Sequence, residues 1–255
     1  MRDVGNVERF TGRVAEYERY RTRYPAEMME VLRERCGLTA ESVVADVGAG
    51  TGMLAEMFLA NGNRVVAIEP NAEMRAVCGG LAERYPGLEV RDATAEATGL
   101  GDGSVDYVTA GRAFHWFDPE RTRVEFGRVL RRGGWVVLAS SGRAKDGAEV
   151  LREYERILLE YGTDYGRTRL GYGVYEEFAG LFGGGEMVRA EFKGEQGLTL
   201  AEFLGQTQSL SVVPRVGDAG YEAMRGALGE FFRRFAVDGV VTMATVCYLQ
   251  ACRVG

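Results

Sequence analysis

Short, continuous apolar runs alternate with stretches of helical period along most of this chain. Val43 to Val47, Arg64 to Ile68, Leu88 to Arg91, Val105 to Ala110 and Trp135 to Ser140 have the length and β-branched content of strands. Between them the period lengthens and helix signals appear. Thr51 to Ala60 runs into Asn61-Gly62, and Asn71 can cap a helix continuing to about Arg84. Asp118-Pro119 offers an N-cap followed by proline in the first turn, with Arg132-Gly133-Gly134 as the expected stop. Ahead of the first strand, Pro25, the shared face of Met28, Val31 and Leu32, and Gly37 describe one further helix.

After Ser141 the pattern loosens. Val150 to Tyr161 places Leu151, Tyr154, Leu158 and Tyr161 on one helical side, and a stretch rich in glycine and tyrosine runs from Gly162 to Gly173. A strand near Met187 to Phe192, helices near Leu200 to Leu210 and Asp218 to Phe235, and a last strand from Val241 to Cys252 complete the reading. Apolar strands separated by helices predict a doubly wound α/β domain, its sheet mostly parallel and covered on both faces. Ligands then belong at the carboxyl ends of the strands. Three regions are expected: a helical lid over residues 1–40, a ligand-binding core over 41–143, and a segment over 144–255 that finishes the sheet and carries an inserted helical cap.

Composition narrows the function classes. The chain has 255 residues, 46% hydrophobic, and a net charge of −6. That suffices for one substantial core and argues against nucleic acid as the main partner, which needs clustered basic surface. The arginines at 19, 21, 23, 131 and 132 are expected on solvated faces. Cys36, Cys78, Cys247 and Cys252 form no C-x-x-C pair and His115 is the single histidine, so no metal site is expected. The first residues lack a signal-peptide core, and the longest apolar run, near Val240 to Leu249, is too short to span a bilayer. The expectation is a reduced, cytoplasmic setting with no membrane partner.

The chemistry concentrates in Asp46-Val47-Gly48-Ala49-Gly50-Thr51-Gly52, between the first strand and its helix. Alternating glycines let a ligand approach the backbone, and amides at a helix start favour an anion. A dinucleotide fingerprint would need glycine where Met53 stands, and a phosphate loop would need a lysine after Gly52. Glu69 ends the second strand about 20 residues past Gly48, where an acid can accept both ribose hydroxyls of an adenosine. These two features point to adenosine and leave a dinucleotide open.

Taken as a set, the segments resemble class I S-adenosylmethionine-dependent methyltransferases. Val43 to Gly52 is similar to their first motif, Val65 to Asn71 to their second, and Ala93 to Leu100 to the stretch beside the adenine. Val105 to Ala110, with Phe114 to Phe117, is similar to their fourth strand and the residues after it. Phe10 to Pro25, with Tyr17, Tyr20, Arg21 and Tyr24, resembles the lid of the ubiquinone/menaquinone-biosynthesis and trans-aconitate methyltransferase-like group. The match covers roughly residues 10 to 140. It implies a seven-stranded Rossmann-like methyltransferase sheet with a helical cap.

The resemblance also implies roles. Gly48, Ala49, Gly50 and Thr51 would contact the methionine and ribose parts of the cofactor, with Asp46 near its amino group. Glu69 would hold the ribose, with Pro70 and Met74 beside it, and Thr94, Ala95 and Glu96 would border the adenine. Thr94 departs from the aspartate usual there, which leaves Asp92 as an alternative carboxylate. Ala110 and Gly111 would line the pocket near the sulfonium, His115 and Trp116 would wall it, and Tyr17 and Arg21 would close over it, the arginine toward the cofactor carboxylate.

The implied reaction is methyl transfer to an oxygen, nitrogen or carbon of a small molecule, carboxylates included, leaving S-adenosylhomocysteine. His115 reads either as a general base or as pocket scaffold. Phe10, Trp116, Arg143, Tyr172, Tyr175, Ser209 and Ser211 are candidates for the acceptor pocket, though Arg143 reads equally as a surface arginine and the tyrosines as cap packing. A monomer or homodimer is expected. The competing functions are a protein that binds S-adenosylmethionine without transferring methyl and, against Met53, an NAD-dependent oxidoreductase.

Overall fold

The computed structural model describes residues 11–144, 148–163, 165–166, 178–182 and 185–255. Helices α1 (Val14–Tyr20) and α2 (Glu27–Cys36) lead into β1 (Val43–Val47), α3 (Met53–Ala60), β2 (Arg64–Ile68), α4 (Ala72–Gly80), β3 (Leu88–Arg91) and β4 (Val105–Gly111). Then come α5 (Pro119–Val129), β5 (Leu130–Arg143), α6 (Glu149–Tyr161), α7 (Phe178–Leu181), β6 (Met187–Leu198), α8 (Leu200–Gln208), α9 (Tyr221–Phe235) and β7 (Val241–Arg253). The seven strands form one sheet in the order β3-β2-β1-β4-β5-β7-β6. The first five are parallel, and β7 runs antiparallel to both β5 and β6.

The expected doubly wound sheet is present, and its faces follow from strand alternation. Val44, Val65, Tyr107 and Val137 enter one core cluster, with α2 and α3 above them; Ala45, Val66, Val108 and Val136 enter the other, with Phe114 and Phe126. Each large apolar side chain buried this way contributes about 1.5–3 kcal/mol. The Tyr107 hydroxyl donates to the Cys36 carbonyl at 2.6 Å, so a buried polar tip also finds its partner.

A third cluster builds the cap: Leu151, Tyr154 and Leu158 of α6 pack on Phe203 of α8 and on Met224 and Phe231 of α9. The β6–β7 ladder runs beyond the end of β5, and its projecting residues Leu198, Val241 and Met243 join this cluster. The long hairpin is therefore the mast on which the cap is mounted.

Helix ends follow local chemistry. The Asn71 side chain accepts from the Met74 amide at 2.9 Å and that of Asp118 from the Arg121 amide at 3.1 Å. Helix α3 starts at Met53 and not at Thr51, because Gly52 sits at φ 88° outside the helical region. The predicted stop at Arg132-Gly133-Gly134 is a correction: α5 closes at Val129 and the chain enters β5 at once. Leu130 is buried and pairs with Val105, after which the register shifts. Gly133 (φ 75°) and Gly134 serve that irregularity, since a Cβ on Gly134 would lie 2.9 Å from the Asp106 carbonyl.

The start of the described N-terminal segment is tied on two sides. Arg13 is buried and donates to the carbonyls of Gln208 and Leu210 at 2.9 and 2.6 Å and of Val213 at 2.6 Å, just past α8. Burial lowers its pKa to about 10. Next to it, the Gly12 amide donates to Glu73 at 2.7 Å and the Asn71 amide group to the Thr11 hydroxyl at 3.0 Å.

Candidate functional site

Strand order reverses between β1 and β4, and a cleft of about 740 Å³ opens beside the carboxyl ends of β1, β2 and β4. Its floor is the glycine loop. The Gly48 and Ala49 amides donate to the Ile68 carbonyl at 2.8 and 3.1 Å, which turns the chain back over β2. The three glycines have two different reasons. A Cβ on Gly48 would lie 2.6 Å from that of Ala113, and one on Gly52 2.7 Å from Leu81, so packing excludes side chains at both. Gly50, at φ 58°, has nothing within 4 Å and faces open space that lines the cleft.

Two buried carboxylates flank this loop. Glu69 accepts the Gly50 amide on one oxygen and the Asn71 amide on the other, both at 2.8 Å. The two bonds fix the carboxylate in one orientation on the cleft wall and leave each oxygen a further acceptor site. Burial raises its pKa above the usual carboxylate value, opposed by those two amides.

Asp46 lies beneath the loop on β1, opposite Thr109 of β4 in register. Its Oδ1 accepts the Thr109 hydroxyl at 2.8 Å, while its buried Oδ2 has no hydrogen-bond partner. Burial pushes this carboxyl up to about 7. Asp46 borders a small pocket of about 10 Å³ together with Tyr17, Gly48, Gly111 and Arg112, residues that also line the main cleft. That volume admits roughly one water-sized group.

The outer walls are braced by Arg75 and Glu125, which sequence reasoning passed over, and by Asp92 and Glu96, which it named. Arg75 donates to the Glu69 and Pro70 carbonyls at 2.9 and 3.0 Å and pairs with Asp92 at 3.3 Å, tying the ends of β2 and β3. Buried Glu125 on α5 accepts both the amide and the hydroxyl of Thr98, at 2.8 and 2.6 Å, and so anchors the loop after β3. Glu96 accepts the Asp118 amide at 3.0 Å across the cleft mouth. Partners this far apart leave no sequence signal. Arg112 was also missed; its place at the end of a strand beside the fold's switch point is the signal that could have found it.

Of the residues proposed from sequence, Tyr17, Gly48, Gly50, Glu69, Pro70, Met74, Thr94, Ala95, Glu96, Gly111 and Trp116 all line the cleft, and Asp46 and Ala49 border the pocket beneath it. Thr51 is buried under the loop, and Ala110 is fully buried in the sheet core. The Arg21 guanidinium lies 4.9 Å from the centre of the Tyr17 ring. His115 is half-buried with its ring centroid 4.4 Å from that of Trp116, and is not among the cleft-lining residues.

Arg143 is the last residue of β5 and engages Glu155 and the Tyr165 hydroxyl, with the Tyr154 ring 5.1 Å away. Ser209 is buried and donates to the Gln206 carbonyl at 2.6 Å, with half-buried Ser211 just beyond. Phe10, Tyr172 and Tyr175 lie outside the described residues. Among the described residues no group of three or more His, Cys, Asp or Glu side chains is placed to hold a metal ion, and no helix is long and apolar enough to cross a membrane.

Residues 45–138, which contain the glycine loop and most of the cleft, match the family model of a methyltransferase domain. An uncharacterized methyltransferase of Mycobacterium tuberculosis is 41% identical over 134 residues, 52% of each chain. The chain spans about half the length of several curated relatives it matches, this one and a 33% identical fission-yeast methyltransferase among them. A methyltransferase-like protein of Schizosaccharomyces pombe is 26% identical over 252 residues, 97% of this chain and 95% of that one. A solved structure from Anaeromyxobacter dehalogenans superimposes with a TM-score of 0.66 at 23% identity, covering 92% of this chain and 98% of the other, which shows the shared fold.

Proposed function

We propose that this chain, whose residues 45–138 match a methyltransferase domain, is an S-adenosylmethionine-dependent methyltransferase acting on a small molecule. The observation that carries the reading is the pair of buried carboxylates on either side of one glycine loop, Asp46 bordering the small pocket beneath it and Glu69 lining the main cleft. The residues fit the cofactor. The unpartnered Oδ2 of Asp46 suits an ammonium in a water-sized pocket, the open face of Gly50 suits a ligand lying against the backbone, and the oriented Glu69 suits a ribose diol.

When bound, S-adenosylmethionine supplies a methyl group already activated by its sulfonium. The protein's task is then alignment and exclusion of water. Trp116, Ala113 and Phe117 form an apolar wall, and Tyr17 reaches in from the N-terminal segment. The His115 ring lies against that of Trp116, tilted by 45°, and braces that wall.

A small acceptor accords with the size of the cleft, which falls within the range of sites for small molecules. Its rim mixes Arg112 and Arg121 with Asp92, Glu96 and Asp118, unlike the basic track a polynucleotide needs. Calorimetry with S-adenosylhomocysteine and with NAD tests the cofactor, and transfer of labelled methyl from S-adenosylmethionine into a metabolite extract tests the activity. Binding of S-adenosylhomocysteine but not NAD, with label in a low-molecular-weight product, is expected. A protein that binds NAD in preference, or that binds the cofactor without labelling any product, refutes the reading.

A further inference from the structure

Arg13, only 6% exposed, directs its guanidinium at main chain and not at a ligand space. Nη1 donates to the Gln208 and Leu210 carbonyls at 2.9 and 2.6 Å and Nη2 to the Val213 carbonyl at 2.6 Å, while the buried Nε has no hydrogen-bond partner. Gln208 is the last residue of α8, where helical carbonyls lack partners within the helix, and the fork of a guanidinium can meet several acceptors at once. The turn gathered this way belongs to the cap. Val213 shares an apolar cluster with Tyr154, Phe203 and Phe231, and the Val212 carbonyl accepts the Thr163 amide, just past α6, at 2.9 Å. Removing a cation from water costs free energy that its acceptors must offset, so Arg13 stays buried only while the turn over residues 208–213 is closed around it.

The other end of α1 is fastened to the same helix. A Cβ on Gly205 would run into the Tyr20 ring, so α8 carries a notch that the ring fills. Beside it the Gln206 side-chain amide donates to the Tyr20 carbonyl at 3.2 Å and to Gln196 of β6 at 3.0 Å. On the opposite side, Gly12 and Thr11 meet Glu73 and Asn71 at the start of α4, the helix that follows Glu69. Residues 11–13 therefore strap the cap to the end of β2, and Tyr17, midway along α1, lines the cleft.

We propose that Arg13 is a positioning residue for the methyl acceptor: it fixes the cap against the cleft through the turn after α8, so that its loss weakens acceptor binding and leaves cofactor binding nearly unchanged. The inference rests on the reading of the cleft as a methyltransferase site. Arg13 is among the lining residues of neither the cleft nor the small pocket and bonds to no part of the glycine loop or Glu69. An acceptor must approach from the side that the loop and Glu69 do not cover, where Tyr17 and Trp116 stand, and an in-line transfer tolerates little misplacement there. Tyr17 rides on the helix that Arg13 and Tyr20 fasten to the cap.

The test uses Arg13→Met, Arg13→Lys and Gly205→Ala, the last displacing Tyr20 from α8 by a separate route. Calorimetry gives the affinity for S-adenosylhomocysteine. Transfer of labelled methyl into a dilution series of metabolite extract, at saturating S-adenosylmethionine, gives the extract concentration at half-maximal rate. Hydrogen exchange over residues 200–213 reports the cap. Arg13→Met and Gly205→Ala should raise the half-saturating extract concentration about tenfold or more, the scale of one lost charge-assisted bond. Their affinity for S-adenosylhomocysteine should stay within about threefold of wild type, which also reports that they are folded. Arg13→Lys should recover part of the acceptor affinity, and exchange over 200–213 should quicken in Arg13→Met. A merely structural role would weaken cofactor and acceptor together; that equal weakening, or an unchanged half-saturation, overturns the inference and leaves the transferase reading intact. A wild type that labels no product overturns that reading, and the inference with it.

Discussion

Replacing Asp46 with asparagine should make the ligand-free protein more stable at pH 8 and remove the pH dependence of cofactor binding. In the fold this carboxyl is pushed up to about 7 by burial, against the Thr109 hydroxyl and the Ala55 backbone amide at the start of α3, which favour the charged form. Because the folded pKa lies above the unfolded value near 4, the fold favours the protonated form. Ionisation therefore costs nothing below about pH 4, and stability falls as pH rises from there through 7. Above pH 7 the cost levels off at about 4 kcal/mol, taking 1.36 kcal/mol for each of roughly three pH units. Asparagine keeps the acceptor for Thr109 but adds a buried amide that lacks a partner, which returns about 1–3 kcal/mol of that gain. A net stabilisation of about 1–3 kcal/mol at pH 8, vanishing near pH 5, is the expected outcome of urea unfolding.

Binding runs the other way. An ammonium requires the ionised carboxylate, so wild-type affinity for S-adenosylhomocysteine should weaken about tenfold between pH 8 and pH 6, with proton release on binding near pH 7. Calorimetry in two buffers of different ionisation enthalpy measures both quantities. The Asp46→Asn protein should bind more weakly at pH 8 and show little change with pH. A wild-type affinity that stays flat from pH 6 to 8, with no gain in stability on substitution, would falsify the assignment of Asp46 as the ammonium partner.

Glu69→Gln must turn an amide NH₂ toward one of the two backbone amides its oxygens now accept, so a loss of about 1–3 kcal/mol in stability and at least tenfold in adenosine-ligand affinity is expected from unfolding and calorimetry. Gly48→Ala and Gly50→Ala separate packing from binding. The first collides with Ala113 and should fold poorly, whereas the second meets open space, should cost stability only about 1 kcal/mol of backbone strain, and should weaken the ligand more than the fold; equal melting losses for the two would contradict this. His115→Ala should retain methyl transfer within a few-fold, since the ring braces Trp116 outside the cleft lining, and a loss of a hundredfold or more at unchanged KM would reassign it as a base.

Much of the sheet and the outline of the site were legible because their causes are local. A run such as Val43 to Val47 carries apolar residues on both faces, Asp46 being its one polar member, and so reads as an inner strand, and Asn71 and Asp118 cap their helices with bonds three residues away. The glycine loop declared itself by spelling. Its three glycines nevertheless differ, and only the neighbours brought in by α4 and by the turn after β4 distinguish the crowded Gly48 and Gly52 from the open Gly50. Gly133 and Gly134 show the limit from the other side. As spelling they end a helix, yet whether helix or strand claims Leu130 depends on its pairing with Val105, contributed by another strand.

The chemistry of individual side chains divides the same way. Asp46 and Glu69 could be named from the chain alone, because a strand–loop–helix unit places its own acidic residues. That one oxygen of Asp46 is left without a partner, and that Glu69 staples Gly50 to Asn71, required the strands to be laid side by side. Arg143 offered a free cation to sequence reasoning, but α6 and the stretch after it bring Glu155 and Tyr165 to it. Arg112 donates to the carbonyls of Thr22 and Ser141 and faces the Met53 sulfur, residues distant in the chain and adjacent only once β4, β5 and the N-terminal segment meet. Short-range order, set by pattern and capping, was determined by the sequence itself. Which charges stay open for a ligand was decided by tertiary structure, because burial and pairing are properties of the neighbours a residue acquires on folding.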